Sequence, residues 1–356
     1  MANRSPQLHI LIAPDSFKGS MNSRQVSRII TEALSRQLPE AEIIQCPLAD
    51  GGEGTRSILE PYMPGHVCLI ESAQLIGLNL PEMCSLDVMK RGSAPLGDAI
   101  LKGLEAGKRE FVIGLGGSAT NDCGLGMLMA LGIQAFDEQG MPVEPNLAGL
   151  LTLTRVDITG LDPGLAESRL TILSDVGSPL CGKNGATAVY GPQKGVQASD
   201  VEQVDHAISA FADRCAGIFG FDPRLKEGAG AAGGLGFALL LLGGKVVSGA
   251  GYVMEKTGFY KALADTDWVI TGEGCSDAQT LQGKLPFKIA LAAREANVKT
   301  ALLSGSVEHS ACPALEACFD LVISAKPDGM ESEEAMLQAS SLLKKAAIRF
   351  TEKTGY

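Results

Sequence analysis

Short apolar segments that alternate with amphipathic segments set the strongest limit on how this chain folds. Six apolar segments have the length and composition of strands buried on both faces: 8–13, 42–46, 111–115, 268–271, 300–304 and 321–325. The helical pattern occurs at 23–37, with Ser23 as the expected N-cap, and at 287–295 and 332–350. Strands that alternate with helices predict an α/β fold with a mostly parallel sheet.

The length of 356 residues predicts two domains, because one hydrophobic core rarely supports so long a chain. The middle of the chain, from about 132 to 265, differs in character from the rest. We expect shorter strands there at 169–174 and 186–190, and a helix at 200–219. This part is interpreted as a second lobe inserted into the first.

Charge and composition exclude several functional classes. The formal net charge is −11 and the basic residues form no stripe, so a nucleic-acid partner is not expected. The nine cysteines lack Cys-x-x-Cys spacing and the four histidines lack metal-ligand spacing, which indicates reduced thiols and no zinc site. No signal peptide or membrane span is apparent, so we expect a cytoplasmic protein with no membrane partner.

Polar, glycine-rich segments follow four of the predicted strands, at 14–18, 49–55, 116–122 and 272–274. In open parallel sheets the ligand site lies beyond the carboxyl ends of the strands. We therefore expect the four turns to converge on one edge of one sheet and to form a functional site.

The turn Gly116-Gly117-Ser118-Ala119-Thr120 follows a strand and precedes a short helical segment at 124–131. Main-chain N–H groups at a helix N-terminus bind anions, and the two hydroxyl groups add donors for a phosphate. The alternative is a tight turn packed with small residues, since the segment lacks the Gly-Lys-Ser/Thr ending of a P-loop.

Two acidic segments could carry the chemistry. Asp50, Glu53 and Thr55 lie on a glycine-rich loop that could bind Mg²⁺, accept hydrogen bonds from a substrate or supply a general base, although a surface turn is the alternative. Lys18 is suited to a carboxylate or a phosphate.

The second acidic segment contains Glu273, Asp277 and Lys284. Carboxylates for Mg²⁺ beside a lysine for phosphate suit phosphoryl transfer, and a solvated loop is the competing interpretation. Asp175 and Lys194, from the middle of the chain, supply a further carboxylate and a further lysine.

The segment 228–233 matches Gly-x-Gly-x-x-Gly, so a nicotinamide-dependent dehydrogenase is an alternative. The match is weak, because the preceding residues 219–227 are charged and contain proline instead of forming an apolar strand.

Six motifs, in this order, resemble the class I bacterial glycerate kinases: 12–18, 49–55, 114–122, 191–195, 228–236 and 271–284. The resemblance implies a Rossmann-like α/β domain with a mostly parallel sheet over 1–65, 95–132 and 266–356. It implies a smaller second α/β domain with a mixed sheet over 66–94 and 133–265. It further implies that ATP and Mg²⁺ are used to phosphorylate D-glycerate, giving most simply 2-phosphoglycerate, and a homodimer is compatible with it.

The resemblance leads to one hypothesis for the site residues. ATP phosphates are assigned to Gly116, Gly117, Ser118 and Thr120, and Mg²⁺ to Glu273 and Asp277. Lys284 neutralises charge on the transferred group, and Asp175 accepts the hydroxyl proton. Glycerate is assigned to Lys18, Asp50, Glu53 and Thr55.

The chain departs from the family pattern at Gly19, Gly177, Ser178 and Cys275. These departures motivate the alternative of an altered paralogue that acts on, or senses, a related small hydroxy acid.

Overall fold

The computed structural model describes residues 7–356. Its strands are β1 (His9–Ile12), β2 (Glu42–Gln45), β3 (Val67–Glu71), β4 (Glu110–Gly114), β5 (Gln134–Phe136), β6 (Arg155–Asp157), β7 (Arg169–Leu173), β8 (Lys245–Val247), β9 (Trp268–Thr271), β10 (Cys275–Ser276), β11 (Lys299–Ser304), β12 (Ser306–Val307) and β13 (Leu321–Ser324). Its helices are α1 (Ser23–Gln37), α2 (Thr55–Leu59), α3 (Ser72–Ile76), α4 (Pro81–Cys84), α5 (Ala94–Glu105), α6 (Leu125–Ala130), α7 (Leu147–Thr152), α8 (Ala186–Tyr190), α9 (Val201–Phe219), α10 (Ala231–Leu241), α11 (Gly249–Lys256), α12 (Phe259–Leu263), α13 (Leu285–Glu295), α14 (Cys312–Cys318), α15 (Ser332–Leu337) and α16 (Ala339–Thr354).

The six strands predicted from apolar runs are all present, each within one residue of its predicted bounds. Helix α1 has the predicted extent, but its N-cap is Asn22 instead of Ser23, because Asn22 and Gln25 form a reciprocal capping box. The segment predicted as a strand at 186–190 is helix α8, so that prediction was wrong. Gly185 and Gly191 flank this helix as its N-cap and C-cap, and Ala186 and Thr187 within it are buried.

Two compact units make up the chain. The first contains 7–50, Ser57–Tyr62 and Ala250–Tyr356, and the second contains Gly51–Arg56 and Met63–Gly249. The predicted α/β class, with two units and mostly parallel sheets, is confirmed.

The first unit is a five-stranded parallel sheet in the order β13-β11-β9-β1-β2. Helices α1 and α16 cover one face through Ile30, Leu343 and Phe350, which belong to one buried cluster with Ile10 and Ile270. Helices α13 and α14 contribute to a second apolar cluster around Leu302 of β11. The carboxyl ends of the five strands therefore open at one edge, where the ligand site of such a sheet is expected.

The second unit contains a four-stranded sheet in the order β3-β4-β7-β8. This sheet is parallel throughout instead of mixed, and the antiparallel pairing lies in the separate pair β5–β6. The unit is also the larger of the two, not the smaller.

The segment 95–132, which we expected in the Rossmann-like domain, lies in this second unit. The physical reason is that β4 pairs with β3 and β7, and that α5 and α6 belong to the same buried core as Ile113. The apolar character of β4 predicted a buried strand but did not specify its sheet.

Candidate functional site

A cavity of about 480 Å³ lies at the carboxyl ends of the strands of the first unit. Residues that follow β1, β2, β9, β11 and β13 line it, as the topology of a parallel sheet predicts. Its polar lining includes five of the residues proposed from sequence: Lys18, Asp50, Glu273, Asp277 and Lys284.

Asp15 lies at the buried base of this polar lining. One of its carboxylate oxygens accepts the Ser16 N–H at 2.7 Å. Burial raises the pKa of Asp15 well above its usual range, and the nearby Asp50 raises it further, whereas Lys18 opposes the rise. Lys18 is exposed, so its ammonium group is accessible to an anion in the cavity.

Glu273 and Asp277 share the ammonium group of Lys284. The Nζ atom of Lys284 lies 3.4 Å from Glu273 Oε2 and 3.4 Å from Asp277 Oδ1. Burial opposes the charge on Lys284, but the two carboxylates outweigh it and raise the pKa of the lysine. The lysine is therefore a fixed positive charge in the cavity.

Two hydroxyl groups donate to Glu273 Oε1, the carboxylate oxygen other than the one that is paired with Lys284. Thr280 Oγ1 donates to Glu273 Oε1 at 2.6 Å, and Ser276 Oγ donates to the same oxygen at 3.1 Å. Thr280 Oγ1 also accepts the Asp277 N–H at 3.0 Å, so a single buried threonine orients both acidic residues.

The donor set of Glu273 and Asp277 fits Mg²⁺. This ion commonly takes one or two protein carboxylates and completes its coordination with water and substrate phosphates. The two carboxylates already attract one cation, the ammonium group of Lys284. Within residues 7–356, no group of three or more His, Cys, Asp or Glu is arranged to bind a metal, so an all-protein site is not present there.

Cys275 and Met336 also line this cavity. Met336 lies against Gly19, one of the positions that depart from the family pattern. A Cβ atom built on Gly19 would lie 2.8 Å from Met336 Cε, and Gly19 has a φ of +79°. The absence of a side chain at position 19 therefore leaves room for the methionine.

The remaining candidates lie in the second unit. Our expectation that all four turns converge on one edge of one sheet was wrong, because 116–122 follows β4 of the second sheet. The residues concerned are Glu53, Thr55, Gly116, Gly117, Ser118, Thr120 and Asp175.

The turn after β4 is tightly packed. A Cβ atom on Gly116 would lie 2.5 Å from Gly52 Cα, and the Gly116 N–H donates to the Gly51 carbonyl. Ser118 and Thr120 are both buried. Close packing thus explains why residue 116 is a glycine, as expected from the alternative of a tight turn packed with small residues.

The N-terminus of α6 is capped by the chain itself. The Asp122 carboxylate accepts the N–H groups of Gly124 and Gly126, and also the N–H and hydroxyl of Ser93. Since these donors are occupied, an anion site at this helix terminus is not available. Gly117 and Ser118 take no part in this cap.

The loop at 51–56 contains both an exposed and a buried candidate. Glu53 is exposed, whereas Thr55 is buried and its hydroxyl accepts the Gly51 N–H at 3.1 Å. Glu71, which our sequence reasoning missed, accepts the N–H groups of Gly54 and Arg56 at 2.9 and 2.8 Å. An acidic residue at the end of an apolar strand was the available signal. Burial raises the pKa of Glu71 despite these bonds.

Asp175 follows β7 and is exposed. One of its carboxylate oxygens accepts the Gly249 N–H at 3.2 Å, which limits the orientation of the side chain.

Comparison with known proteins identifies the family. The model of the glycerate kinase family matches residues 10–68 and 61–354. The chain belongs to the glycerate kinase family. The resemblance found in the sequence is thereby confirmed, and the protein is a phosphotransferase that uses an alcohol group as acceptor.

Relatives of this glycerate kinase family member are similar over most of their length. A glycerate kinase of Halalkalibacterium halodurans is 35% identical over 364 residues, covering 95% of this chain and 96% of the relative. The glycerate 2-kinase of Escherichia coli is 34% identical and covers 84% and 86%. The crystal structure of a provisionally named glycerate kinase 2 from Salmonella typhimurium has a TM-score of 0.77 at 33% identity, covering 98% and 99%.

The glycine run at 228–233 has a packing role in this glycerate kinase family member. Ala232, Gly233 and Gly234 all have positive φ, and Gly233 lies directly against Thr120 and Asn121. No strand precedes Gly228 within 219–227, so the dinucleotide-binding interpretation lacks its structural context. Among residues 7–356, no helix combines the length and apolarity needed to cross a membrane.

Proposed function

We propose that the protein transfers the γ-phosphoryl group of ATP to a hydroxyl of D-glycerate, with Mg²⁺, and that the product is 2-phosphoglycerate. The observation that carries this proposal is the set of charges in one cavity: Glu273, Asp277 and Lys284 beside Lys18 and Asp50. The relative named glycerate 2-kinase supports the choice of hydroxyl.

The charges suit phosphoryl transfer because its barrier is lowered mainly by positioning and by neutralising charge. When bound by Glu273 and Asp277, Mg²⁺ supplies positive charge to the phosphate oxygens. Lys284 adds a second positive charge and is kept protonated by the same two carboxylates. Thr280 fixes the carboxylates, so little reorganisation is needed.

For glycerate we propose Lys18 as the partner of the carboxylate and Asp50 as a hydrogen-bond acceptor for a hydroxyl. Both line the cavity, and Lys18 is exposed to it. Glu53 is kept as a third candidate because it is exposed. Thr55 is proposed to act through the loop, since its hydroxyl is occupied by Gly51.

In the second unit, we propose that Gly117 and Ser118 bind a phosphate of ATP, with Gly116 holding the turn in place. Thr120, fully buried, is proposed to support the same turn. Asp175 is the proposed proton acceptor. Because transfer of this kind needs little help from a base, Asp175→Asn should retain measurable turnover.

All nine cysteines are free thiols. Since structural disulfides persist mainly outside the cytosol, the free thiols support the cytoplasm as the proposed location.

The test is to incubate the purified protein with ATP, Mg²⁺ and D-glycerate and to identify the product by ³¹P NMR. A 2-phosphoglycerate signal supports the proposal, and a 3-phosphoglycerate signal refutes the regiochemistry. A folded protein that binds ATP and D-glycerate but forms no product would refute the activity and favour the altered paralogue.

Substrate assignment is tested by Lys18→Ala. We expect a higher KM for D-glycerate and little change in the KM for ATP, because the lysine is proposed to contact only the acid. Lys345→Ala, an exposed lysine of α16, is the matched control. An unchanged KM for D-glycerate would remove Lys18 from the substrate site.

A further inference from the structure

We propose that Lys194 is the buried positive charge of a phosphate-binding turn, and that it draws a nucleotide phosphate to the N–H groups of Gly117 and Ser118. The inference rests on the proposed function for the identity of the nucleotide. It deepens that function, because it assigns a role to a lysine that the proposed function leaves out. Among the proposed site residues, this lysine forms hydrogen bonds to Ser118 and Thr120.

The ammonium group of Lys194 is bonded to the turn itself. Its Nζ atom donates to the Thr120 carbonyl at 2.8 Å and to Ser118 Oγ at 3.2 Å. The main chain at Lys194 is held as well, because Arg91 Nη1 donates to its carbonyl at 2.7 Å. Lys194 is therefore held at both ends, and its ammonium group helps to orient the Ser118 hydroxyl.

The charge of Lys194 has no ion-pair partner within residues 7–356, although the residue is only 3% exposed. Burial lowers the pKa of the lysine from 10.5 to about 7, and Asp122 only partly opposes this. Asp122 and Arg91 are the charged groups that face Lys194, and both are bonded elsewhere as well. A buried ammonium group without a counter-ion is costly, and a bound anion would offset that cost.

Two side-chain oxygens on the same turn also lack partners. Thr120 Oγ1 and Asn121 Oδ1 are fully buried and form no hydrogen bond within the described chain. Buried polar atoms are nearly always paired, so such orphans point to a ligand or water that completes the site. The Thr120 hydroxyl can donate to a phosphate oxygen, whereas the Asn121 amide oxygen can only accept and needs a water molecule or another donor. They form a second observation, independent of the lysine.

The turn also offers main-chain donors. Its bonds to 76–78 use the Gly117 carbonyl and the Ala119 N–H, so the N–H groups of Gly117 and Ser118 have no partner in the part of the chain described. Gly117 has a φ of +79°, a conformation found in the concave N–H arrangements that bind anions. Two N–H groups near a buried positive charge suit a phosphate group.

Lys194 is a positioning residue in this proposal, because its charge acts through Ser118 and the turn. A bound anion stabilises the ammonium form, so it must raise the fraction of protonated Lys194. Binding at pH 8 should therefore take up protons, since a pKa of about 7 leaves Lys194 mostly neutral in the unbound protein and the nucleotide phosphates are already ionised. A purely structural lysine would not produce this uptake.

The experiment is calorimetric titration of the full chain with ADP, in two buffers of different ionisation enthalpy at pH 8. We expect proton uptake in the wild type, and at least tenfold weaker binding without uptake in Lys194→Met. Lys194→Arg should bind ADP within a few-fold of the wild type but without uptake, because arginine stays charged. Lys183→Met, an exposed lysine of the same unit, should match the wild type.

Three results would overturn the proposal. One is wild-type affinity and proton uptake in a folded Lys194→Met variant. Another is weak binding in both Lys194 variants when thermal unfolding shows both to be folded. The third is proton uptake that depends on Lys194 when D-glycerate is titrated but is absent when ADP is titrated. Nucleotide binding that depends on Lys194, without phosphoryl transfer to D-glycerate, would refute the proposed function and leave this inference standing.

Discussion

Substitution of Gly116 by alanine tests whether packing of the turn after β4 controls the loop at 51–56. The added Cβ atom would lie 2.5 Å from Gly52 Cα and 3.0 Å from Gly52 N. Ordinary contact begins near 3.4 Å, so the two segments must separate by about 0.9 Å. Neither of the contacted atoms belongs to a side chain that can rotate away, and the Gly116 N–H is bonded to the Gly51 carbonyl.

The cost follows from that displacement. Overpacking of a well-packed site typically lowers the free energy of unfolding by about 1 to 3 kcal/mol. A misplacement near 1 Å can reduce catalysis by up to about 100-fold. We therefore expect Gly116→Ala to lose about 2 kcal/mol of stability and about 10- to 100-fold in kcat/KM.

Urea unfolding and steady-state kinetics measure the two effects. Gly65→Ala is the matched control, because its Cβ atom would meet nothing within 4 Å and its φ is not in the left-handed region. This control should differ from the wild type by about 0.5 kcal/mol or less. If Gly116→Ala retains both the stability and the kcat/KM of the wild type, the packing argument is refuted.

Three further predictions concern the two lysines and the buried threonine. Lys284→Met should lower kcat by about 100-fold or more, because it removes a preorganised positive charge, and an unchanged kcat in steady-state kinetics would contradict the role. Thr280→Val should lower the free energy of unfolding by about 1 to 3 kcal/mol, since it leaves the Asp277 N–H unpaired. Thr280→Ser keeps the hydroxyl and is its control in urea unfolding. Between pH 7 and pH 9 the unfolded chain binds more protons at Lys194 than the folded chain, because folding lowers its pKa to about 7. As pH rises, the free energy of unfolding of the wild type should therefore increase relative to that of Lys194→Met, by up to about 1.4 kcal/mol per pH unit. The prediction is contradicted if the free energy of unfolding changes with pH in the same way in both proteins.

The fold was largely predictable because its strands are short apolar runs with helices between them. The predictions failed where the pattern of apolar residues was the only guide to the structure. The five-residue segment at 186–190 contains Thr187 and Val189, which favour a strand, but it is a helix whose first residues are buried. Strand β4 was recognised, but its partners depend on contacts that no local pattern encodes.

The acidic part of the site was predictable for a topological reason. Glu273, Asp277 and Lys284 follow a buried strand, and residues after parallel strands meet at one edge of the sheet. Lys194 and Glu71 could not be ranked in the same way, because their importance depends on burial and on main-chain bonds. Their roles remain predictions, as do those of all the proposed site residues.

The contact between Gly19 and Met336 bears on how such an enzyme could diverge. A side chain at position 19 would meet only the far end of Met336, which can rotate away, but the φ of +79° at Gly19 would also strain the main chain of any other residue there. The wall of the cavity would change as well, since Met336 is part of its lining. Positions 19 and 336 should therefore vary together among descendants of this gene, because a mutation at either one alters the space that selection on the other must accommodate.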